Sequence, residues 1–520
     1  MRPLNSHSLT SGSVRRRTAA LTGGLALLAL TSSLGTQCGP VAPAPSEPRF
    51  ITDEQGRALI LHGMNVSGDA KWDPERMPWV GRDDVLRLSR DWGFNFSRFL
   101  ITWDGIEPQR GVYDEAYLDR IEERLDWHHE AGLFVVLDMH QDVYGPVDSD
   151  GRRMSGNGHP AWSFVTDGEP FPSIPGNWFL SYFTPAITRA FDNFWDYEGS
   201  TGWIQQHYLD AWLQVVERFK DHPAVLGYDA INEPWAGSGL AQPDAFSADE
   251  FDQGVYQEFL QRFIHMVRSV DQDGWIFYEP RAWGPNSGSP SRIGILDDPR
   301  AGDDRLVYFP HLYSLIVDTS GEYPSFDDTV EIWAESRITE INAQKAPMLI
   351  GEWGTGQEVV GVDRYLNDVA RMADRVTSGW AYWEHGEGGW GILDANGNEK
   401  PPADILTRAY PRRVAGYPNQ VDYDPERRVM ILMYKSRPGV TGPTEIYVPR
   451  GRHFPEGFDL RVSHGKWHAA WDAERELITL CAAPQSRLRE VIISPAAGPV
   501  PLMPPPGVLT TCEFPEEEES

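Results

Sequence analysis

Short apolar runs alternate with helical stretches over most of this sequence, and this alternation constrains the fold more than any other feature. Eight runs have the length of a strand, and several carry polar side chains near their carboxyl ends. They lie at residues 58–68, 94–103, 134–142, 225–231, 275–283, 306–314, 346–354 and 379–385. Eight alternating strand and helix units over roughly 350 residues predict a (β/α)8 TIM barrel of the α/β class. A doubly wound open sheet is the alternative, but no GxGxxG follows the first run.

The character of the sequence changes after Arg412. Short strand-like runs follow at turn-separated intervals, with little helical pattern, which predicts a small β-sandwich. These runs are residues 429–434, 444–448, 460–462, 477–480 and 491–494. We therefore predict a catalytic barrel over 49–411, a sandwich over 412–497 and a proline-rich, acidic, mobile tail over 498–520.

The first 37 residues have the pattern of a secretory signal peptide. Three arginines at 15–17 precede an uncharged apolar run at 18–34. That run is short for a spanning helix of about 20 residues, so we expect export without stable membrane insertion after signal removal. The arginines leave a twin-arginine route open, and residues 38–48 form a proline-rich linker. In an exported protein Cys481 and Cys512 are candidates for a disulfide, although sequence does not establish the pairing.

Charge and aromatic content limit the classes of partner. The formal net charge of −30 argues against nucleic acid and against anionic membrane surfaces as partners. The 20 tryptophans suit carbohydrate, because sugar rings stack on indole faces, although an aromatic core would also account for many of them. Neither property indicates an oligomeric state.

Two glutamates at strand ends carry the functional hypothesis. Glu233 follows the run 225–231 and precedes Pro234, which cannot continue a strand ladder. Glu352 lies in the same way near the end of 346–354. Either alone suits an ordinary surface position, but two carboxylates at two strand ends predict glycoside hydrolysis. We assign Glu233 as the acid/base and Glu352 as the nucleophile, and we expect neither a metal nor a cofactor.

Polar residues at other strand ends fit supporting roles. Arg98 is placed to keep the nucleophile ionised, and Asn232 to bind a sugar hydroxyl beside the reacting carbon. His311 and Tyr313 share one face of a strand end and are placed to orient the two glutamates. Each also has a plain interpretation, as an ion pair, a core histidine or a packed aromatic ring.

Together these residues resemble the hallmark set of glycoside hydrolase family 5. That set is an arginine, a histidine, Asn-Glu, His-x-Tyr, a glutamate and a tryptophan, found here as Arg98, His140, Asn232-Glu233, His311 with Tyr313, Glu352 and Trp383. The resemblance implies two-step retaining hydrolysis of β-glycosides without a metal.

Within that family the sequence is most similar to the endoglycoceramidases. The similarity rests on residues 98–127, 137–145, 155–162, 189–195, 297–302, 410–416 and 443–449. It implies a glycolipid or β-linked oligosaccharide substrate, and sugar contacts from Lys71, Asp142 and Trp178. Trp353 and the charged segment 384–391 depart from the relatives' pattern, which leaves the preferred first sugar open.

The insertion at residues 143–200 is rich in aromatic side chains and is long for a loop in a compact domain. We expect an apolar trough for a lipid aglycone near the acid/base. The candidates are Trp162, Phe164, Trp178, Phe179, Tyr182 and Phe183. The alternative is that these rings only pack the insertion against the barrel.

Other functions remain open at this stage. An endo-β-glucanase predicts an open cleft and soluble glucan substrates, and an exo-β-glucosidase would act on glucosylceramide or steryl glucosides. A non-catalytic carbohydrate- or lipid-binding barrel is the alternative outside enzymes, and the retained glutamates argue against it. A serine hydrolase is disfavoured because no GxSxG elbow occurs.

Overall fold

Parallel strands surrounded by helices form the first part of the computed structural model, and antiparallel sheets form the second. The structure describes residues 49–514 apart from 67, 146–155, 173, 175–177, 242–247, 438 and 486. The predicted signal peptide and linker lie outside the described residues. Within the described residues, no helix has both the length and the apolar character needed to cross a membrane.

The strands are β1 (Ala58–Leu59), β2 (Leu61–Val66), β3 (Phe96–Ile101), β4 (Phe134–Met139), β5 (Val225–Asp229), β6 (Trp275–Tyr278), β7 (Leu306–Tyr308), β8 (Ile350–Trp353), β9 (Gly379–Tyr382), β10 (Tyr410–Val414), β11 (Gly416–Asp424), β12 (Val429–Ser436), β13 (Thr444–Tyr447), β14 (Phe458–Val462), β15 (Trp467–Asp472), β16 (Leu477–Ala482) and β17 (Arg489–Pro495). The α-helices are α1 (Arg82–Arg90), α2 (Trp103–Ile106), α3 (Glu115–Glu130), α4 (Pro185–Trp195), α5 (Trp203–Phe219), α6 (Asp249–Phe251), α7 (Gln257–Arg268), α8 (Leu315–Ser320), α9 (Thr329–Gln344), α10 (Val362–Val376), α11 (Pro401–Leu406) and α12 (Arg450–His453). Short 3₁₀ turns lie at Gly68–Lys71, Ala161–Ser163, Trp178–Phe183, Gly237–Ala241 and Pro285–Ser287, and a π-helical turn at Asp252–Tyr256.

Strands β2 to β9 form one parallel sheet in the order β7-β6-β5-β4-β3-β2-β9-β8. The two ends of this order meet through a parallel bridge between Tyr308 and Met348. There the Tyr308 N–H donates to the Pro347 carbonyl at 2.9 Å, and the Leu349 N–H donates to the Tyr308 carbonyl at 3.0 Å. The sheet is therefore closed, and the predicted TIM barrel is confirmed. Each strand is shorter than its predicted run.

The barrel interior changes from apolar to polar along the strands. Side chains two residues apart point to the same face of a strand, so Phe96 and Arg98 of β3 both point inward, as do Val136 and Asp138 of β4. Phe96 and Val136 belong to a buried apolar cluster. Arg98 and Asp138, one step nearer the carboxyl ends, are also buried. The barrel thus closes on an apolar floor below a polar layer.

Two antiparallel sheets follow the barrel and enclose a second apolar core. Their strand orders are β1-β10-β13-β16-β15 and β11-β12-β17-β14. This confirms the predicted sandwich, but the sequence did not indicate β10, β11 or β15 as strands. It also did not indicate that β1, which precedes the barrel, pairs with β10 through Ala58 and Val414. Arg57 reinforces this junction by donating to the Pro443 carbonyl and to Glu445, both at 3.0 Å.

The proline-rich stretch after the sandwich differs from the expected mobile tail. The Gly507 N–H donates to the Trp471 carbonyl at 3.0 Å, and the Leu509 N–H donates to the Thr479 hydroxyl at 2.8 Å. Cys481 and Cys512 form a disulfide, the pairing that the sequence left open. These contacts hold residues up to 512 along the sandwich.

Candidate active site

Glu352 lies in β8 at the carboxyl end of the barrel, and its carboxylate is buried among positive groups and donors. Arg98 donates to Oε1 at 2.6 Å and the Tyr313 hydroxyl donates to Oε2 at 2.9 Å. Burial alone would raise the pKa of Glu352, but the charges of His311 and Arg98 outweigh it and lower the pKa. The side chain predicted to be the nucleophile is therefore held in its ionised form.

Glu233 follows β5, and its environment favours the opposite protonation state. Its Oε1 accepts from the Asn286 amide at 2.7 Å and lies 3.0 Å from His311 Nδ1. Burial raises the pKa of Glu233, and this outweighs the opposing effect of His311. The predicted acid/base is therefore the glutamate that retains a proton, as a general acid must.

The backbone of Glu233 adopts an unusual conformation. Its φ is +45°, in a region that non-glycine residues rarely occupy. Gln141 holds the turn by donating to the carbonyls of Asn232 and Glu233 at 3.0 and 3.1 Å. Such strain costs of the order of 1–3 kcal/mol and persists only where surrounding contacts enforce it. Here the contacts direct the carboxyl group toward Glu352.

The separation of the two glutamates indicates a stereochemical outcome. One carboxylate oxygen of Glu233 and one of Glu352 lie within 4.8 Å of each other. Retaining glycosidases place the two carboxyl groups about 5–5.5 Å apart, whereas inverting enzymes need roughly 6.5–9.5 Å to admit a water molecule. The site therefore has the spacing of a retaining enzyme.

The opposite pKa shifts predict a bell-shaped pH profile. Activity should rise as Glu352 loses its proton at its lowered pKa, and should fall as Glu233 loses its proton at its raised pKa. We expect kcat/KM for a soluble alkyl glycoside to decline on the alkaline side, and Glu233→Gln to abolish that decline. An alkaline limb retained in Glu233→Gln would assign it to another group.

Arg98 is completely buried and organises the polar layer of the barrel. Besides Glu352 it donates to Asn232 Oδ1 at 2.8 Å and to Glu279 Oε1 at 2.9 Å. Its remaining partners are Asn65, Asp138 and Asp229, all within 3.1 Å. Arg98 therefore positions the predicted nucleophile and also the asparagine that precedes the acid/base.

Sequence reasoning missed several members of this layer. They are Asn65, Asp138, Asp229, Glu279 and Asn286. Glu279 offered a usable signal, because Pro280 follows it within the predicted run 275–283 just as Pro234 follows Glu233, and a proline marks a strand end. Asp138 and Asp229 interrupt apolar runs, which also signals a buried polar function. Asn286 lies in the 3₁₀ turn Pro285–Ser287 and gave no signal.

The structure also brings together Lys71, His140, Asp142 and Trp383 from three segments. Lys71 Nζ lies 2.8 Å from Asp142 and 4.2 Å from the centroid of the Trp383 ring, and His140 stacks on the same ring at 5.8 Å. Burial alone would raise the pKa of Asp142, but Lys71 and His140 lower it strongly. A charged pair beside an indole face is suited to binding sugar hydroxyls. The side chain of Trp178 lies outside the described part of the chain.

The aromatic insertion divides into two groups. The rings of Phe179, Tyr182 and Phe183 pack around Trp235 with centroids 4.4–6.1 Å away. Trp235 comes two residues after Glu233. Burial is the main cause that raises the pKa of Tyr182, and the Glu233 carboxylate lies close enough to Tyr182 to help raise it. Trp162 and Phe164 are placed differently. Trp162 packs on Trp103 and Trp203, and Phe164 packs on Tyr144. These two rings therefore stabilise the insertion and are not part of the expected trough.

Among the residues that the structure describes, two side-chain groups are compact enough to surround a cation. They are Glu233, His311 and Glu352, and Asp138, Asp229 and Glu279. The second group already surrounds the Arg98 guanidinium, with contacts of 2.9–3.0 Å. In the first group, an amide N–H already donates to Glu233 and a hydroxyl to Glu352. Both arrangements are explained by hydrogen bonds and ion pairs within the protein.

Two protein-family models match this chain, one over the barrel and one over the sandwich. The model for "Cellulase (glycosyl hydrolase family 5)" matches residues 52–389. The chain belongs to glycosyl hydrolase family 5. The model for the family 5 C-terminal domain matches residues 408–492, which correspond to the sandwich. The family assignment agrees with the resemblance inferred from the strand-end residues, and it makes this protein a glycosidase.

Relatives within family 5 include several endoglycoceramidases. Endoglycoceramidase I of Rhodococcus hoagii is 28% identical, over 89% of this chain and 88% of that protein. The endoglycoceramidase of Hydra vulgaris is 25% identical, over 80% and 82%. The solved complex of endo-glycoceramidase II from Rhodococcus sp. with ganglioside GM3 superposes with a TM-score of 0.79 at 36% identity, covering 87% of this chain and all of that one. A lactosyl-enzyme intermediate of the same enzyme superposes with a TM-score of 0.78.

Proposed function

We propose that this family 5 glycosidase hydrolyses the β-glycosidic bond between the glycan and the ceramide of a glycolipid, with retention of configuration. The observation that carries the mechanism is the pair of glutamates with oxygens within 4.8 Å of each other and opposite pKa shifts. Similarity to endoglycoceramidases over most of the chain supports the substrate class.

The reaction proceeds in two displacements. Glu352 attacks the anomeric carbon while Glu233 gives its proton to the departing oxygen, so that a glycosyl ester of Glu352 forms and the alcohol leaves. Glu233, now ionised, then removes a proton from water, which attacks the anomeric carbon and releases Glu352. The hydrogen bonds from Arg98 and Tyr313 hold Glu352 in place before the attack and stabilise its charge after release.

The surface beside Glu233 supports a lipid aglycone. The leaving alcohol must lie next to the acid/base, and on that side the 3₁₀ turn Trp178–Phe183 presents Leu180 and Phe183, which are 45% and 48% exposed. Phe183 packs edge-on against Trp235 and Trp283, with centroids 5.0 and 5.4 Å away. An exposed apolar patch that packs on the buried Trp235 ring and the partly buried Trp283 ring suits the chains of ceramide.

Mass spectrometry of the products from a mixed glycosphingolipid extract tests this proposal, with Glu233→Gln as the matched inactive control. Intact glycan plus ceramide, released by the wild type alone, is the expected result. Release of only a terminal sugar would instead assign exo-acting glucosidase activity. Cleavage of soluble β-glucan without any action on glycolipid would replace the lipid substrate with an endo-β-glucanase substrate.

The patch beside Glu233 makes a separate prediction. Phe183→Glu should lower kcat/KM for a micellar glycolipid by roughly tenfold or more, because a charge replaces apolar contact with the lipid. The same variant should leave kcat/KM for a soluble aryl lactoside within about threefold of wild type, since that substrate lacks the lipid.

The matched control for this prediction is Trp467→Glu, which alters a partly exposed aromatic residue in the sandwich strand β15. It should change neither rate. Equal losses on both substrates in Phe183→Glu would show that the patch supports the fold and does not bind lipid.

Export belongs to the proposal and rests on the sequence of residues 15–34. Producing the full chain in a bacterial host and sequencing the N-terminus of the protein recovered outside the cytoplasm tests it. Recovery of only the uncleaved chain inside the cell would contradict export.

A further inference from the structure

Glu279 follows β6, and its buried carboxylate contacts both halves of the active site. Oε1 accepts from Arg98 Nη2 at 2.9 Å and lies 3.1 Å from His311 Nε2. Oε2 accepts the backbone N–H of Glu233 at 2.9 Å. Since Arg98 also holds Glu352, one carboxylate touches the groups that position both glutamates of the proposed mechanism.

The contact with His311 determines the protonation of that ring. The Glu279 carboxylate lies 3.1 Å from Nε2 as an ion-pair contact outside hydrogen-bond geometry, and its charge favours an N–H over a lone pair on that nitrogen. Across the ring, Nδ1 faces Glu233 at 3.0 Å and Glu352 at 3.5 Å, and the Tyr313 ring packs edge-on against the imidazole. Burial would lower the pKa of His311, but Glu279 and Glu352 outweigh it and raise the pKa well above its usual range. The ring is therefore an imidazolium with an N–H on both nitrogens.

An imidazolium at this position affects where Glu233 carries its proton. The Nδ1–H of His311 and the amide of Asn286 both point at Oε1 of Glu233. A carboxyl oxygen has two lone pairs in its plane, so these two donors occupy Oε1. The acid proton therefore belongs on Oε2. A neutral His311 with its lone pair on Nδ1 would instead draw that proton to Oε1.

We propose that Glu279 is a positioning residue, which keeps His311 doubly protonated and anchors the Glu233 backbone, so that the acid proton is carried on Oε2 for the leaving oxygen. This inference rests on the proposed function, because it assumes that Glu233 is the acid/base.

Glu279 shares the Arg98 guanidinium with two other buried acids, Asp138 and Asp229. Burial and the negative charge of Glu279 raise the pKa of Asp229 well above its usual range, against the opposing effect of Arg98. Asp138 contacts Arg98 through Oδ1 at 3.0 Å and His140 Nδ1 through Oδ2 at 2.8 Å.

Glu279→Gln, which keeps the size of the side chain and removes its charge, tests the proposal by the response to leaving groups. We expect kcat/KM for the glycolipid, whose alcohol needs protonation, to fall roughly 100-fold or more. For a dinitrophenyl β-lactoside, whose phenolate leaves without an acid, the loss should be under about tenfold. Glu340→Gln is the matched control, since Glu340 is also a buried glutamate but pairs with Arg337 on α9. It should alter both rates equally.

A second readout does not depend on activity. In protein labelled with ¹⁵N-histidine, with His311 assigned by its loss in His311→Gln, both ring nitrogens of His311 should be protonated at neutral pH, and Glu279→Gln should convert the ring to a neutral tautomer. An imidazolium that persists in Glu279→Gln, or equal losses on the two substrates, would overturn the proposal. If the wild type hydrolyses neither substrate, the proposed function fails, while the nitrogen signals still decide whether Glu279 controls His311.

Discussion

The Glu352→Gln variant is expected to lose hydrolysis of every glycoside, activated or not, with kcat/KM reduced by roughly 10⁴-fold or more. An amide is a poor nucleophile, and no leaving group compensates for the missing attack on the anomeric carbon. The buried donors Arg98 and Tyr313, which now face two carboxylate oxygens, would also meet an NH2 group at one position. The loss therefore combines chemistry with a disturbed hydrogen-bond pattern.

Trapping the intermediate measures this role directly. A 2-deoxy-2-fluoro glycoside with an activated leaving group should label wild-type protein, and proteolysis with mass spectrometry should place the sugar on the peptide that contains Glu352. Glu340→Gln, which alters a buried glutamate outside the site, should label normally. Label on a different residue, or substantial turnover by Glu352→Gln, would contradict the assignment.

The Glu233→Gln variant should show a loss that depends on the leaving group. For a glycolipid we expect kcat/KM to fall by roughly 10²–10⁴-fold, the usual contribution of a positioned acid. For a dinitrophenyl glycoside the first step should remain close to the wild-type rate, because its phenolate departs without a proton. Glutamine keeps the oxygen that accepts from Asn286, so the local structure should persist.

Azide provides the complementary measurement for Glu233. In Glu233→Ala, azide should enter the vacated space, restore turnover of the activated glycoside and yield the β-glycosyl azide, which demonstrates retention. An α-linked product would indicate inversion. Equal losses on activated and unactivated substrates in Glu233→Gln would show that the residue does not act as the acid.

The barrel could be predicted because its signal is local and repeated. A short apolar run marks each strand in the sequence. Eight such runs with intervening helices are compatible with few folds other than a barrel. The strand ends could not be placed, because residues such as His140 and His311 continue the apolar pattern in sequence but lie in loops beyond β4 and β7. The predicted run 58–68 covers both β1 and β2. The sequence does not separate them, because β1 differs from β2 only in its partner β10, which lies more than 350 residues later in the chain.

The catalytic residues of the site were predictable where the type of side chain at a strand end indicates its chemistry directly, as for Glu233 and Glu352. The site was not predictable where function depends on neighbours brought together by closure of the barrel. Asp138 and Asp229 read as interruptions of apolar runs, and only the placement of Arg98 between them explains why they are buried. The aromatic insertion shows the same limit, because Phe183 and Trp162 look equivalent in sequence and lie against different surfaces.

The pairing of β1 with β10 has a consequence for synthesis of the chain. Ala58 leaves the ribosome long before Val414, its partner in the sandwich sheet, so the segment that leads into the first barrel strand waits for the second domain. Until then β1 lacks the neighbour that covers it, and contacts between such distant residues form slowly. A nascent chain stopped before residue 410 would expose this edge to other chains. The sandwich thus supplies the partner strand for the segment that leads into the barrel. Shortened forms that end after β9 should therefore depend on chaperones and aggregate.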